Sequence, residues 1–300
     1  MPVPFAPHLV ATGDCDRDGR VDVAITDHDS NDVTVFRGDG RGGFAIPGTS
    51  FRLLAGVAPH NHGLALADVN GDGLLDVATS NNNGNSVSIL LGDGRGRFAA
   101  AAGSPFRVGR APYPLAVEDF DGDGKPDVAT PDVNGGTVTV LRGNGRGSFA
   151  PAPGSPYRVD HRPFFALAAR VNADRAPDLV ISHDDISTVT VLLNDGRGRF
   201  PTSRKFDAGG QTWKLRAADF DGDGSTDLAM GLAPATLAIF FGDGAGNFRP
   251  AAGSKFRVGR GPYGVAVGDL NGDGKTDVVT ANTEDGTVSV LLAVSSAAKP

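Results

Sequence analysis

Three hundred residues with a formal charge of −7, 43 glycines, 20 prolines and a 40% hydrophobic share make a turn-rich chain that can still bury a core, which excludes a disordered polypeptide. The acid excess speaks against nucleic acid and anionic membrane as partners, and no apolar run approaches the ~18 residues of a membrane span, so no membrane insertion is expected. The lone cysteine, Cys15, excludes an intramolecular disulfide, and Met1-Pro-Val-Pro-Phe-Ala-Pro7 has neither the basic nor the apolar region of a signal peptide.

In chain order, a short strand leads into Asp14-Cys-Asp16-Arg-Asp18-Gly19-Arg-Val-Asp22. The same nonapeptide returns as Asp68-Val-Asn70-Gly-Asp72-Gly73-Leu-Leu-Asp76 and as Asp119-Phe-Asp121-Gly-Asp123-Gly124-Lys-Pro-Asp127. A decayed copy, Arg170-Val-Asn172-Ala-Asp174-Arg175-Ala-Pro-Asp178, follows. The series ends with Asp219-Phe-Asp221-Gly-Asp223-Gly224-Ser-Thr-Asp227 and Asp269-Leu-Asn271-Gly-Asp273-Gly274-Lys-Thr-Asp277. The period is about fifty residues, so six units fill positions 1–300 as one repeat domain.

Each unit reads as four short β-strands. Strand A precedes the Asp-rich loop (Gly264–Val267 in the last unit), strand B follows it (Asp277–Thr280), and strand C is the β-branched run at 287–292. Strand D is expected around the Phe-Arg-Val segments, as at Phe256–Val258. Turns such as Gly92-Asp-Gly-Arg-Gly-Arg-Phe98 and Gly143-Asn-Gly-Arg-Gly-Ser-Phe149 join C to D with the Asp-Gly and Asn-Gly pairs that tight hairpins favour. Four antiparallel strands per repeat, with no helical periodicity, make an all-β six-bladed propeller. The last unit stops after strand C, so Val3-Pro-Phe5 is expected to supply its missing strand and close the ring.

Positions 1, 3, 5 and 9 of the five intact loops are always Asp or Asn, and position 6 is always Gly. Position 7 varies freely, which suits a backbone carbonyl ligand. A hard cation taking six to eight oxygens fits this pattern, and calcium is the expected ion. The ligand sets are Asp14, Asp16, Asp18, Arg20 and Asp22; Asp68, Asn70, Asp72, Leu74 and Asp76; and Asp119, Asp121, Asp123, Lys125 and Asp127. The remaining two are Asp219, Asp221, Asp223, Ser225 and Asp227, and Asp269, Asn271, Asp273, Lys275 and Asp277. Near-identical copies at a fixed period point to calcium that holds the fold together rather than calcium that does chemistry.

These loops resemble those of the FG-GAP/VCBS repeat propellers, a group that includes integrin α-subunit heads and many bacterial extracellular proteins. The resemblance covers nearly the whole chain and implies calcium in each intact loop. It also implies an extracellular or periplasmic location, with any leader removed. The fourth loop departs from the pattern, since Arg170 replaces the first Asp and Arg175 the turn Gly. Five calcium ions are therefore expected, with a guanidinium pairing to Asp174 and Asp178 in place of a sixth.

The blade order puts the loops entering strand A on the face opposite the calcium loops. Six residues before each loop stand His8, His62, Tyr113, Phe164, Trp213 and Tyr263, a ring of imidazoles and aromatics that differs from blade to blade. All six histidines map to this face, with His28 and His183 on B–C loops and His60 and His161 near strand A. His8, His28, His60, His62, Tyr113, Phe164, His183, Trp213 and Tyr263 are thus the candidate ligand-binding residues. The expected function is recognition of a glycan or other small extracellular ligand at one asymmetric pocket. The alternative is an enzyme at the same place. One form is a polysaccharide-lyase-like site with His62 as base, Tyr113 as acid and Arg110 clamping a carboxylate. The other is a transition metal held by His8, His28 and His62.

Overall fold

The chain is an all-β, six-bladed propeller of antiparallel sheets, and the computed structural model describes residues 6–53, 60–174 and 176–294. No helix occurs among these residues, so none is long and apolar enough to cross a membrane. By proximity the chain divides into two units, Met1–Ala166 with Gly196–Arg199, and Leu167–Asp195 with Phe200–Pro300.

In the first unit, the first blade runs Pro7–Gly13, Asp22–Asp27, Asp32–Phe36 and Thr49–Arg52 in strand order A to D. The second has strands Ala65–Ala67, Asp76–Asn81 and Ser86–Gly92, and the third Ala116–Glu118, Asp127–Asp132 and Thr137–Gly143. The boundary between units falls within strand A of the fourth blade, Pro163–Ala169. The second unit holds that blade's remaining strands, Asp178–His183, Thr188–Leu193 and Thr202–Asp207. It continues with Thr212–Ala218, Asp227–Leu232 and Thr236–Gly242, then with Pro262–Gly268, Asp277–Asn282 and Thr287–Leu291. The sixth blade has three strands among the described residues, and the expected closing segment Val3-Pro-Phe5 lies outside them.

Strand D differs from the sequence reading in blades two, three and five. It is two pieces, both paired to strand C: Phe98–Ala100 and Phe106–Arg107, Phe149–Pro151 and Tyr157–Arg158, Phe248–Pro250 and Phe256–Arg257. Between the pieces a serine hydroxyl stands in for the interrupted ladder. Ser104, Ser155 and Ser254 each accept the strand C amide of Ile89, Val140 and Ile239, all at 2.9 Å. The Gly-Ser dipeptide before each Phe/Tyr-Arg-Val segment is the local cause.

Core residues lie between successive sheets. Ala24, Val33, Val35, Leu53, Val77, Leu90 and Phe98 form one cluster, and Ile89, Leu115, Val128, Leu141 and Phe149 belong to the next. In the second unit Ala229, Leu237, Ile239, Val265 and Val278 do the same. Each fully buried Val, Leu or Ile contributes about 1.5–3 kcal/mol, and alternation along strands B and C is what aims them at a neighbouring blade.

One carboxylate per blade locks loop to sheet. The position-9 aspartate is fully or almost fully buried and accepts two backbone amides, one from position 2 of its own loop and one from the end of strand C. Asp76 takes Val69 N and Gly92 N at 2.9 and 2.8 Å, and Asp22, Asp127, Asp227 and Asp277 repeat the pattern. Asp178 of the decayed loop keeps it, binding Val171 N at 3.1 Å and Asn194 N at 2.8 Å. In the second blade crowding holds the strand-end position to glycine, because a Cβ on Gly92 would meet the Leu75 carbonyl oxygen at 2.2 Å, whereas Asn194 and Ala293 fill it in the fourth and sixth.

Candidate functional site

The Asp-rich loops fold as tight turns held by their own carboxylates. In the second loop Asp68 accepts the amides of Gly71, Asp72 and Gly73, and Asp72 accepts that of Leu74. Three loops bring three carboxylate oxygens within 4.8 Å of one another, at Asp14/Asp16/Asp18, Asp119/Asp121/Asp127 and Asp219/Asp221/Asp227. An all-oxygen donor set of this kind fits a hard divalent ion. Burial, with repulsion from neighbouring loop acids, raises Asp76 and Asp127 to about 6. Burial also raises Asp16, and Asp22 and Asp18 push it further up.

Counter-charge to these acids comes from position 7 of the loops themselves (Arg20 to Asp18, Lys125 to Asp123, Lys275 to Asp273) and from arginines at the end of strand C. Arg37 reaches Asp16 at 3.3 Å, and Arg142 pairs with Asp121 and Asp123. Both arginines directly precede the strand-end glycine, which is the signal the repeat comparison could have used. In the fourth loop Arg170 is exposed and its carbonyl accepts the Thr226 hydroxyl, while Arg175 lies outside the described residues.

The residues six before each loop owe their placement to irregular pairing. In the first, fifth and sixth blades the A–B register shifts between Pro7 and Leu9, Thr212 and Leu215, and Pro262 and Gly264. His8, Trp213 and Tyr263 fall in those bulges. In the second and third blades an isolated bridge (Asn61 to Asn81, Pro112 to Asp132) is followed by a gap before regular pairing resumes, and His62 and Tyr113 fall in the gap. A bulge frees a side chain from the pleat and re-aims it, so sequence spacing alone could not show which way these rings turn.

Within the first unit the rings touch in succession. The His62 imidazole stacks on Tyr113 with centroids 4.0 Å apart and planes 13° apart, and Tyr113 meets Phe164 at 4.9 Å. His62 also lies 4.7 Å from His8, 5.1 Å from His28 and 4.4 Å from His60, and His60 lies 4.2 Å from His28. Four imidazoles thus form one cluster, with His62 buried and the others half-buried. His28 Nδ1 hydrogen-bonds Asp29 Oδ1 at 2.6 Å, a partner that the sequence reading did not single out. Burial, and then the neighbouring His28, lowers the pKa of His60.

In the second unit Trp213 and Tyr263 are half-buried, with centroids 5.7 Å apart, and the Lys214 ammonium lies 5.0 Å over the Tyr263 ring. Burial draws the Lys214 amine down to about 8, and Arg216 adds to the shift.

One expected ligand residue is turned into the sheet, and another differs in exposure from its expected partner. His183 is fully buried, with Nε2 3.0 Å from the Thr190 hydroxyl, so its ring belongs to the sheet and is not presented to a ligand. It shares this place with Asn81, Asp132 and Asn282, each bonded to hydroxyls of strand C. Arg110 is exposed at the surface while His62 is buried, which separates the expected carboxylate clamp from the expected base in environment.

Bladed antiparallel sheets with an Asp-rich loop between the first two strands of the repeat define an Asp-loop repeat type of β-propeller. Matches to the FG-GAP-like repeat model span residues 14–79, 68–130, 170–230 and 229–280, and the chain belongs to that family. No curated protein matches it in sequence. Among solved structures it is similar to an Agrocybe aegerita lectin described for specific recognition of non-reducing terminal N-acetylglucosamine. That match has 20% identity and TM-score 0.62, covering 96% of this chain and 81% of the other. It is also similar to a 6-phosphogluconolactonase-like protein of Bacteroides fragilis at 15% identity and TM-score 0.71, over 94% and 78% of the two chains. A virginiamycin B lyase of Staphylococcus aureus matches at 12% identity and TM-score 0.58, over 98% and 87%. At these identities the likeness is one of fold.

Proposed function

We propose that this protein is a calcium-stabilised recognition propeller of the extracellular or periplasmic space that binds a glycan through the aromatic and imidazole side chains entering strand A. The observation that carries the reading is the run of ring contacts at the entry to strand A, His8–His62–Tyr113–Phe164 in one unit and Trp213–Tyr263 in the other. Half-exposed aromatic faces suit the apolar faces of sugars, and the Lys214 amine beside Tyr263 suits an acidic one. Calcium belongs in the five intact loops, where it would neutralise carboxylates that otherwise repel. The N-acetylglucosamine-recognising lectin of the same fold supports glycans as the ligand class.

The test is a glycan panel of neutral, N-acetylated and uronate-containing oligosaccharides, followed by calorimetry on the wild type, Tyr113→Ala and Trp213→Ala. Saturable binding weakened tenfold or more by either substitution is expected. No binding across the panel, or binding untouched by both substitutions, overturns the reading. Release of unsaturated uronates, read as new ultraviolet absorbance, would replace recognition by elimination at His62 and Tyr113.

A further inference from the structure

We propose that His28, His60 and His62 form a binding site for a first-row divalent transition ion of the zinc class, distinct in chemistry and place from the calcium loops.

Three ring nitrogens, one from each histidine, lie within 4.8 Å of one another. Tetrahedral ligation at ~2.0–2.1 Å brings nitrogens to about 3.3 Å from each other. The remaining closure is small, and His28 and His60 are half-buried, so side-chain rotation can supply it. The backbone carrying these rings is already fixed. His28 N donates to the Ala6 carbonyl at 2.8 Å, His62 N to Ser80 at 3.2 Å, and Asn82 N to the His60 carbonyl at 2.9 Å. The ligands are therefore preorganised by the first and second blades rather than gathered by the ion.

The contact of His28 Nδ1 with the Asp29 carboxylate is the second observation. A metal-bound histidine ordinarily gives its other N–H to a carboxylate, which fixes the tautomer and raises the basicity of the ligating nitrogen. Here that arrangement leaves Nε2 of His28 as the ligating atom. His8 borders the site, 5.5 Å from His28 and 4.7 Å from His62 between ring centroids.

Imidazole nitrogens select zinc, copper, nickel or cobalt over calcium and magnesium, which take oxygen. Packing four imidazoles against one another offers an apolar core little that a leucine would not, whereas three converging lone pairs are what such a cation requires. This site shares His62, and His8 at its edge, with the glycan reading. Glycan binding tested by Tyr113→Ala and Trp213→Ala touches none of the three ligands, so failure of one reading is distinguishable from failure of the other.

The experiment uses the full chain, stripped with EDTA and then saturated with calcium so that the Asp loops do not compete. Zn²⁺ is titrated by calorimetry, and Co²⁺ by visible absorption, where tetrahedral imidazole ligation gives an intense d–d band. One ion per chain with micromolar or tighter affinity is expected. His28→Ala and His60→Ala should each weaken binding at least tenfold. Asp29→Ala, which touches no ion, should weaken it 10- to 100-fold while leaving the cobalt band shape intact. Asp223→Asn, in a calcium loop of the other unit, should leave zinc affinity unchanged. Circular dichroism melts identify any variant that fails to fold, and His60→Gln then replaces His60→Ala. No saturable zinc or cobalt binding to the calcium-loaded wild type, or binding indifferent to His28→Ala and His60→Ala, overturns the proposal.

Discussion

Removing the Asp178 carboxylate should destabilise the protein without touching any metal, because Asp178 sits in the one loop that has lost its ligand set. Its two oxygens accept the amides of Val171 and Asn194, and the side chain is fully buried. Asp178→Ala strands both donors away from water, at about 1–3 kcal/mol each, for a total of about 2–6 kcal/mol. Asp178→Asn keeps one acceptor and turns an NH₂ toward the other amide, so about half that loss is expected. For a chain of this size the alanine variant should melt very roughly 5–20 °C lower. The assay is a thermal or urea melt of the wild type and both variants, once in excess calcium and once in EGTA. The loss should be the same in both buffers. An alanine variant that melts with the wild type would refute the clamp. A loss present only in calcium would instead make the residue a metal ligand.

Chelation should lower the wild-type melting temperature, since each loop occupied at a hundredfold over its dissociation constant adds about 2.7 kcal/mol; an unchanged melt in excess EGTA rejects calcium. Asp132 offers a pH test. Burial raises it to about 6, against hydrogen bonds from Thr137 and Thr139 that act the other way. A raised carboxylate gives stability that is full below about pH 3.8 and is lost as pH rises through about 6. The cost of keeping Asp132 ionised above that point is on the order of 3 kcal/mol. Asp132→Asn should therefore match the wild type at pH 4 and exceed it at pH 8, with Asn81 and its Ser86 and Ser88 partners showing that the site accepts an amide. Equal differences at both pH values would count against it.

The repeat was legible because turn geometry fixes its Asp and Gly positions, and a period of about fifty made the blades countable. Asp178 survives where Arg170 and Arg175 have replaced other loop residues, and a residue kept after the ligands are gone must serve the fold. The split of strand D was hidden because the serine hydroxyl that completes the ladder looks like an ordinary loop residue. Blade arithmetic grouped His8, His28 and His62, whereas the nitrogens that converge are those of His28, His60 and His62, because side-chain direction at these loop positions follows no spacing rule. His183 misled for a related reason: it ends strand B, and pairing with Thr190 draws it inward.

The irregular pairing at the start of strand A has a consequence for how such a protein can change. A residue outside the ladder answers to neither β-propensity nor the alternation that fills the core. Positions 8, 113, 213 and 263, half-buried and off the regular ladder, are therefore open to change while the Asp clamp stays untouched. Varying those four together would make this chain a scaffold whose foldedness and whose choice of ligand are inherited from separate sets of residues.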